Sequence, residues 1–219
     1  MNMARIVDLT LPVYHGAPTM PLDPKCAVIV HHTIESMKYN ITQLVISTHQ
    51  GTHLDAPYHF FNEGTTVDKL DLHKCVGEAQ VLDLTRVGPK CSLEPADLEP
   101  FESRIRPGSR IILRTNWWRR FPRKEYFSDG PRISPALAQW LARRKIAMLG
   151  LETPGVHPIE WEKVHKILLG AQIVIVEGLA YLNKIKKERV FFIAAPLKLK
   201  GRDGSPVRAM AIEDVESYR

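Results

Sequence analysis

The sequence predicts a strand-rich α/β domain with few helices, and three observations lead there. Short runs rich in β-branched and aliphatic residues recur along the chain, at 26–32, 41–48 and 110–115. Only two long stretches carry an apolar stripe at helical spacing, one opening at Ser134-Pro135 and one over 158–169. After the second, residues 171–176 (Ala-Gln-Ile-Val-Ile-Val) form an almost uninterrupted apolar strand, the kind covered on both faces.

The 219 residues fit one domain, 1–219, with a sizeable core, and no internal repeat, linker or low-complexity segment divides them. Hydrophobic content of 44% and charged content of 25% are ordinary for a soluble globular chain. No apolar run follows a basic start, and none approaches the ~20 residues of a membrane span. Cys26, Cys75 and Cys91 are odd in number and lack CxxC spacing, so a reduced, cytoplasmic setting is expected. The net charge of +6 comes from scattered residues such as Arg119, Arg143 and Lys186, without a long basic run or a nucleic-acid motif. A solvated surface accounts for it, and no nucleic-acid or membrane partner is expected.

Taken in order, residues 4–12 read as a first strand, and Gly16, Pro18, Pro21 and Pro24 break the chain into a loop. The strand at 26–32 ends in His31 and His32, which have no ligand spacing and read as structural. Residues 41–48 form a strand leading into His49-Gln-Gly-Thr-His-Leu-Asp-Ala-Pro-Tyr-His59. A turn follows at 60–64, one or two helical turns at 70–76 with His73 solvated, and a strand at 79–84. Residues 95–101 resemble a short helix and 110–115 an apolar strand. Trp117 and Trp118 then serve either as lids on the core or as a stack for an aromatic substrate. Ser134 at the N-cap and Pro135 at the first turn start a helix striped by Leu137, Trp140 and Leu141. A short buried strand at 146–151 precedes the helix at 158–169, whose face carries Trp161, Val164, His165 and Leu168 ahead of a stop at Gly170. Glu177 ends the strand that follows, and a buried carboxylate there needs a cation.

The 49–59 segment carries the chemistry. His49, His53, Asp55 and His59 are all odd-numbered, so in an extended chain they point to one side. At ~3.3 Å per residue a straight strand would hold His49 and His53 roughly 13 Å apart, too far to share one metal ion. A helix is disfavoured by Gly51 and Pro57. The consistent picture is a strand that turns at Gly51, where a residue without Cβ turns cheaply, and continues extended through His53 and Asp55. Two imidazoles and a carboxylate then converge, the donor set of zinc or another divalent transition metal. A single histidine beside an apolar strand is ordinarily a packing residue. Four such groups around one glycine turn are hard to obtain from packing alone.

The pattern HxGTHxDxPxH is similar to the hallmark of the cyclase-like metal-dependent hydrolases, the family that includes bacterial kynurenine formamidase and isatin hydrolase. The N-terminal Asp8-Leu-Thr…Pro21-Leu-Asp-Pro24 and the tail Pro196-Leu-Lys…Gly204-Ser-Pro-Val-Arg-Ala-Met-Ala-Ile resemble the same family. Three things depart from its pattern around 152–157, where Glu152, Gly155 and His157 stand for Asp, Ser and Asp. Met20 and Leu22 likewise stand for Trp and Gly, in the region that lines the substrate pocket in relatives. The resemblance implies a central mixed β-sheet and assembly as a homodimer or homotetramer. It joins His165 to Glu177, twelve positions later, as a second half-site. Metal one then takes His49, His53 and Asp55, and metal two takes Asp55, His165 and Glu177, with two zinc ions expected and manganese as the alternative. His59 is implied as the catalytic general base and then acid, or else as a further ligand. The expected activity is hydrolysis of a C–N amide bond in a small molecule, with N-formylkynurenine first. Ring opening of a cyclic amide such as isatin, and metal-dependent binding without turnover, are the other readings.

Overall fold

A computed structural model describes residues 4–214 and arranges them around one mixed sheet. In chain order the strands are β1 (Arg5–Asp8), β2 (Ala27–His32), β3 (Ile41–Val45), β4 (His53–Asp55), β5 (Val76–Asp83), β6 (Ser92–Leu93) and β7 (Arg110–Arg114). They continue with β8 (Arg132–Ile133), β9 (Met148–Gly150), β10 (Val174–Glu177), β11 (Arg189–Ile193), β12 (Gly204–Pro206) and β13 (Met210–Glu213). The helices are α1 (Ile34–Met37), α2 (Pro95–Leu98), α3 (Lys124–Ser128), α4 (Pro135–Arg143) and α5 (Trp161–Gly170).

Among the described residues the main sheet has nine strands, in the order β1-β13-β11-β5-β7-β9-β10-β4-β12. Its centre, β5-β7-β9-β10, is parallel, and antiparallel strands extend it on both sides. Alternation along the parallel strands sorts their side chains into two layers. Ile111, Leu113, Leu149 and Ile175 face a core covered by Leu137 and Leu141 of α4 and by Val164 and Leu168 of α5. Ile112, Met148, Val174 and Val176 face the other core, which the sheet encloses by curling on itself. Val7 near one edge and Leu54 near the other share that second core, and a bridge between Thr10 and Leu179 ties the curl. Each fully buried aliphatic side chain contributes about 1.5–3 kcal/mol, so the two layers dominate the stability.

Several elements begin or end where local chemistry dictates. Ser134 caps α4 by accepting from the Leu137 amide, with Pro135 behind it, as the sequence predicts. The strand expected at 171–176 starts only at Val174, because Ala171 closes α5 and Gln172 sits at φ +61°. At 70–76 only a 3-10 turn forms, Leu72–Lys74, with the Asp71 side chain accepting from the His73 amide. Trp161 opens α5 half-exposed, not on the buried face with Val164, His165 and Leu168. Among the described residues β2 and β3 pair only with each other, as a two-stranded unit with an exposed apolar surface.

Candidate metal centre

Strand pairing builds the centre. β4 runs antiparallel to β10 with His53 opposite Glu177 and Asp55 opposite Ile175. His53 and Glu177 are therefore cross-strand partners on one face, and Asp55, two residues on, shares it. The turn before β4 depends on Gly51 at φ +63°, as expected from the sequence. Gly178, at φ +66°, closes against it so tightly that a Cβ there would lie 2.4 Å from Gly51 O. Thr52 locks the contact by donating to Gly178 O at 2.6 Å and accepting from the Leu11 amide at 2.8 Å. α5 lies over β10 and brings down His165.

The four side chains converge in a buried knot. His53 Nε2 lies 3.5 Å from Asp55 Oδ1 and 3.4 Å from Glu177 Oε2. His165 Nε2 lies 3.6 Å from Asp55 Oδ2 and 3.6 Å from Glu177 Oε1. The other ring nitrogens are committed: His53 Nδ1 donates to Gly51 O at 2.9 Å and His165 Nδ1 to Trp161 O at 2.7 Å. A carbonyl only accepts, so Nδ1 of each ring keeps its hydrogen and Nε2, turned to the carboxylates, is the nitrogen that offers a lone pair once unprotonated. Asp55 Oδ2 and Glu177 Oε1 are buried without a hydrogen-bond partner. Ligands ~2.1 Å from a common tetrahedral centre are roughly 3.4 Å apart, close to the His53 separations, while His165 faces the other oxygen of each carboxylate. The residues fit a divalent cation.

His49 stands beside this knot on the turn. Its Nδ1 contacts Asp55 Oδ1 at 2.8 Å and its Nε2 contacts Asp203 Oδ2 at 2.6 Å. Gly204 makes room for the ring, since a Cβ there would lie 2.9 Å from His49 Cε1. Burial disfavours charge on His49, yet Asp55 and Asp203 outweigh it and raise its pKa to about 10. His165 follows the same balance, with Asp55 and Glu177 lifting it to about 10. Burial pushes the Asp55 carboxyl up, but His49, His165 and His53 hold it well below the carboxylate range.

His59 ends a 3-10 turn, Pro57–His59, and its ring sits 4.0 Å from that of His49 and 5.7 Å from that of His165. Burial, joined by the positive field of His49 and His165 and opposed by Asp55, lowers its pKa to about 4. It is therefore neutral at pH 7. His49, Asp55 and His59 also lie close enough to share an ion, as do His53, Asp55 and Glu177. Phe60 turns towards the centre and stacks on His165 at 4.7 Å.

Asp203 was not among the residues that spacing picked out. It accepts from Thr48 Oγ1 at 2.8 Å besides holding His49, and 154 positions separate it from that histidine. Its only sequence signal was its place just before Gly204-Ser-Pro-Val-Arg. Neither tryptophan lines the clefts beside the centre. Trp117 is buried and donates Nε1 to Tyr126 O, while Trp118 packs on Tyr181. Glu152 is also buried and braces the turn before them, its Oε2 accepting from the Thr115 and Trp117 amides and from Thr115 Oγ1. A small cleft opens from His49 and His53 between Met20, Phe127 and Pro154.

The family model described as "Putative cyclase" matches residues 7–158. Over 213 residues the chain is 31% identical to a kynurenine formamidase of Bacillus thuringiensis, covering 96% of this chain and 98% of that one. Isatin hydrolase A from Labrenzia aggregata, solved with benzyl benzoate, superimposes with a TM-score of 0.85 at 27% identity, covering 95% of this chain and 93% of that one. A predicted metal-dependent hydrolase from Bacillus stearothermophilus gives a TM-score of 0.80 at 26% identity, with 95% and 98% covered.

Proposed function

Because the chain belongs to the cyclase family, we propose that it is a metal-dependent hydrolase of C–N amide bonds, specifically an arylformamidase. N-formylkynurenine, released as kynurenine and formate, is the first substrate in this reading. One observation carries it: a buried cluster of imidazoles and carboxylates, with one oxygen each of Asp55 and Glu177 left without a hydrogen-bond partner, in a chain 31% identical over 213 residues to a kynurenine formamidase.

His49, His53, Asp55, His165 and Glu177 would hold the ions, zinc first and two per subunit, with manganese as the alternative. When bound, a divalent cation lowers the pKa of water to about 7 and sets positive charge beside a carbonyl oxygen. The chain supplies the proton handling. His59, neutral at pH 7 by burial, accepts a proton from the attacking water and returns it to the departing nitrogen, a poor leaving group while unprotonated. Asp203 steadies the neighbouring imidazole of His49.

The subunits pair as a homodimer or homotetramer in this reading. The β2–β3 pair supports it, exposing Val30, Ile41, Leu44 and Val45 on a two-stranded unit that is marginal alone in water. Among the described residues no helix is long and apolar enough to cross a membrane, which accords with a small dissolved substrate.

The test is metal analysis of the purified protein, followed by hydrolysis assays on N-formylkynurenine, formanilide and isatin. Metal-dependent formate release supports the formamidase. Turnover of isatin alone would move the assignment to cyclic-amide opening, which the isatin hydrolase likeness favours next. Metal binding without turnover of any of the three would sink the hydrolase reading.

A further inference from the structure

The reverse end of the sheet carries a second polar hollow. The metal centre lies where β10 finishes, at Glu177, whereas Arg110 opens β7, Ala147 precedes β9 and Gln172 lies just ahead of β10. Those starting ends and the turn at Leu72–Lys74 surround a cavity of ≈ 370 Å³, a size usual for small-ligand sites. Three residues in the left-handed conformation shape it: Gly108 at φ +79°, Lys145 at φ +53° and Gln172 at φ +61°. The Gly108 amide donates to Lys145 O at 2.9 Å, and Lys74 Nζ donates to Gln172 O at 2.6 Å.

Its charge is unbalanced. Lys74, Arg110 and Lys145 line it, and Asp71 is the single carboxylate on the lining. Among the described residues none of the three cations has a carboxylate at ion-pair distance. Arg110 gives one guanidinium nitrogen to Glu78 O at 3.1 Å and another to His73 O, while its Nε is buried with no partner. Gly77 makes room for this group, since a Cβ there would lie 2.8 Å from Arg110 Cζ. Burial lowers the pKa of Lys74, opposed by Asp71, and that of Arg110, opposed by Cys75, Asp71 and Glu78. Carbonyl oxygens carry only partial charge, so two partly desolvated cations are left without a counter-charge, a costly state unless something pairs with them.

We propose that this hollow binds a phosphoryl group, as free phosphate or as a phosphate monoester, on the ammonium groups of Lys74 and Lys145 and the guanidinium of Arg110. Three cations less one carboxylate leave two positive charges, which match a phosphate dianion better than a single carboxylate. Arginine meets phosphate as a fork of donors and lysine as a point charge, and the hollow offers both. The cavity has room beyond a phosphate ion, so a monoester is the expected occupant. The site stands at the opposite end of β10 from Glu177 and requires nothing of the amide-hydrolase reading.

The test is calorimetric titration of the metal-loaded protein, at about pH 8 and constant ionic strength, with inorganic phosphate, ribose 5-phosphate and acetate. At that pH a phosphate monoester is a dianion. The wild type should bind ribose 5-phosphate more tightly than phosphate, and acetate about tenfold or more weakly than either. Lys145→Glu and Lys74→Met should each weaken ribose 5-phosphate about tenfold or more, the weight of one charge-assisted hydrogen bond. The Lys145 side chain has no ion-pair partner among the described residues, so its exchange leaves the fold intact and separates binding from the bond that Lys74 makes to Gln172 O. Lys124→Glu, the same charge change at an exposed residue of α3, should leave the affinity within about twofold. Equal affinity for phosphate and ribose 5-phosphate would still uphold the site and make the free ion its ligand. The proposal falls if neither phosphate compound binds at about 10 mM, if acetate binds as tightly, if Lys145→Glu keeps wild-type affinity, or if Lys124→Glu weakens it as much. Binding kept in Lys145→Glu but lost in Glu177→Gln would place the phosphate on the metal centre and equally overturn it.

Discussion

At His53 and His165 a backbone carbonyl decides which nitrogen faces the carboxylates. Protons and cations then compete for the same space. In the metal-free protein His165 and His49 are held at about 10, so both are protonated at neutral pH, and metal must displace those protons. Metal affinity should therefore rise with pH between roughly 6 and 9. Chelator-competition titrations measure this, and a flat profile would remove these rings from the ligand set. The metal-free protein shows the opposite sign. A histidine raised above its ordinary 6.5 adds stability that is complete below that value and lost as pH climbs through about 10, so metal-free melting temperatures should fall across that window. His59 separates chemistry from binding. His59→Ala should keep its metal and lose ~10²–10⁴-fold in kcat on a formanilide, with a smaller loss on an activated aryl ester whose departure needs no proton. Loss of metal in that variant would make His59 a ligand.

Between elements, the decisive contact is the seam where β10 ends and the Gly51 turn begins. Gly178→Ala would put a methyl group against Gly51 O in a backbone conformation that L residues avoid. It should lower the melting temperature and empty the metal centre together, although Gly178 ligates nothing. Full metal content and an unchanged melt would show that the seam can give. This seam also marks the limit of what the sequence made legible. The Gly51 turn and the shared face of His53 and Asp55 followed from residue spacing, because strand alternation is a local rule. The opposition of His53 to Glu177 did not, since register between β4 and β10 is set by how two distant segments pack. His165 and Glu177 were joined only by family likeness, and Asp203 by nothing local. α4 was legible from its cap. The late start of β10 was not, because the left-handed turn at Gln172 shows no glycine.

For the whole molecule, the centre is where the helix layer and the curled sheet meet. His165 comes from α5, Glu177 from β10 and Asp55 from β4, so an ion held by all three ties the layers together. The fold without metal keeps two buried carboxylate oxygens with no hydrogen-bond partner, which destabilises it. Binding to the folded state alone adds about 2.7 kcal/mol when free metal stands at 100 times its Kd. In a chain of this size 1 kcal/mol moves the melting temperature by about 2–4 °C, so chelation should lower it by roughly 5–10 °C, reversibly on adding metal back. Glu177→Gln keeps the shape of the side chain and removes its charge. The variant should bind less metal and show a smaller chelator-induced shift than the wild type, because less stabilisation is there to withdraw. Should chelator leave the wild-type melt where it was, the ion would not join the layers, and the unpaired oxygens of Asp55 and Glu177 would need a different partner.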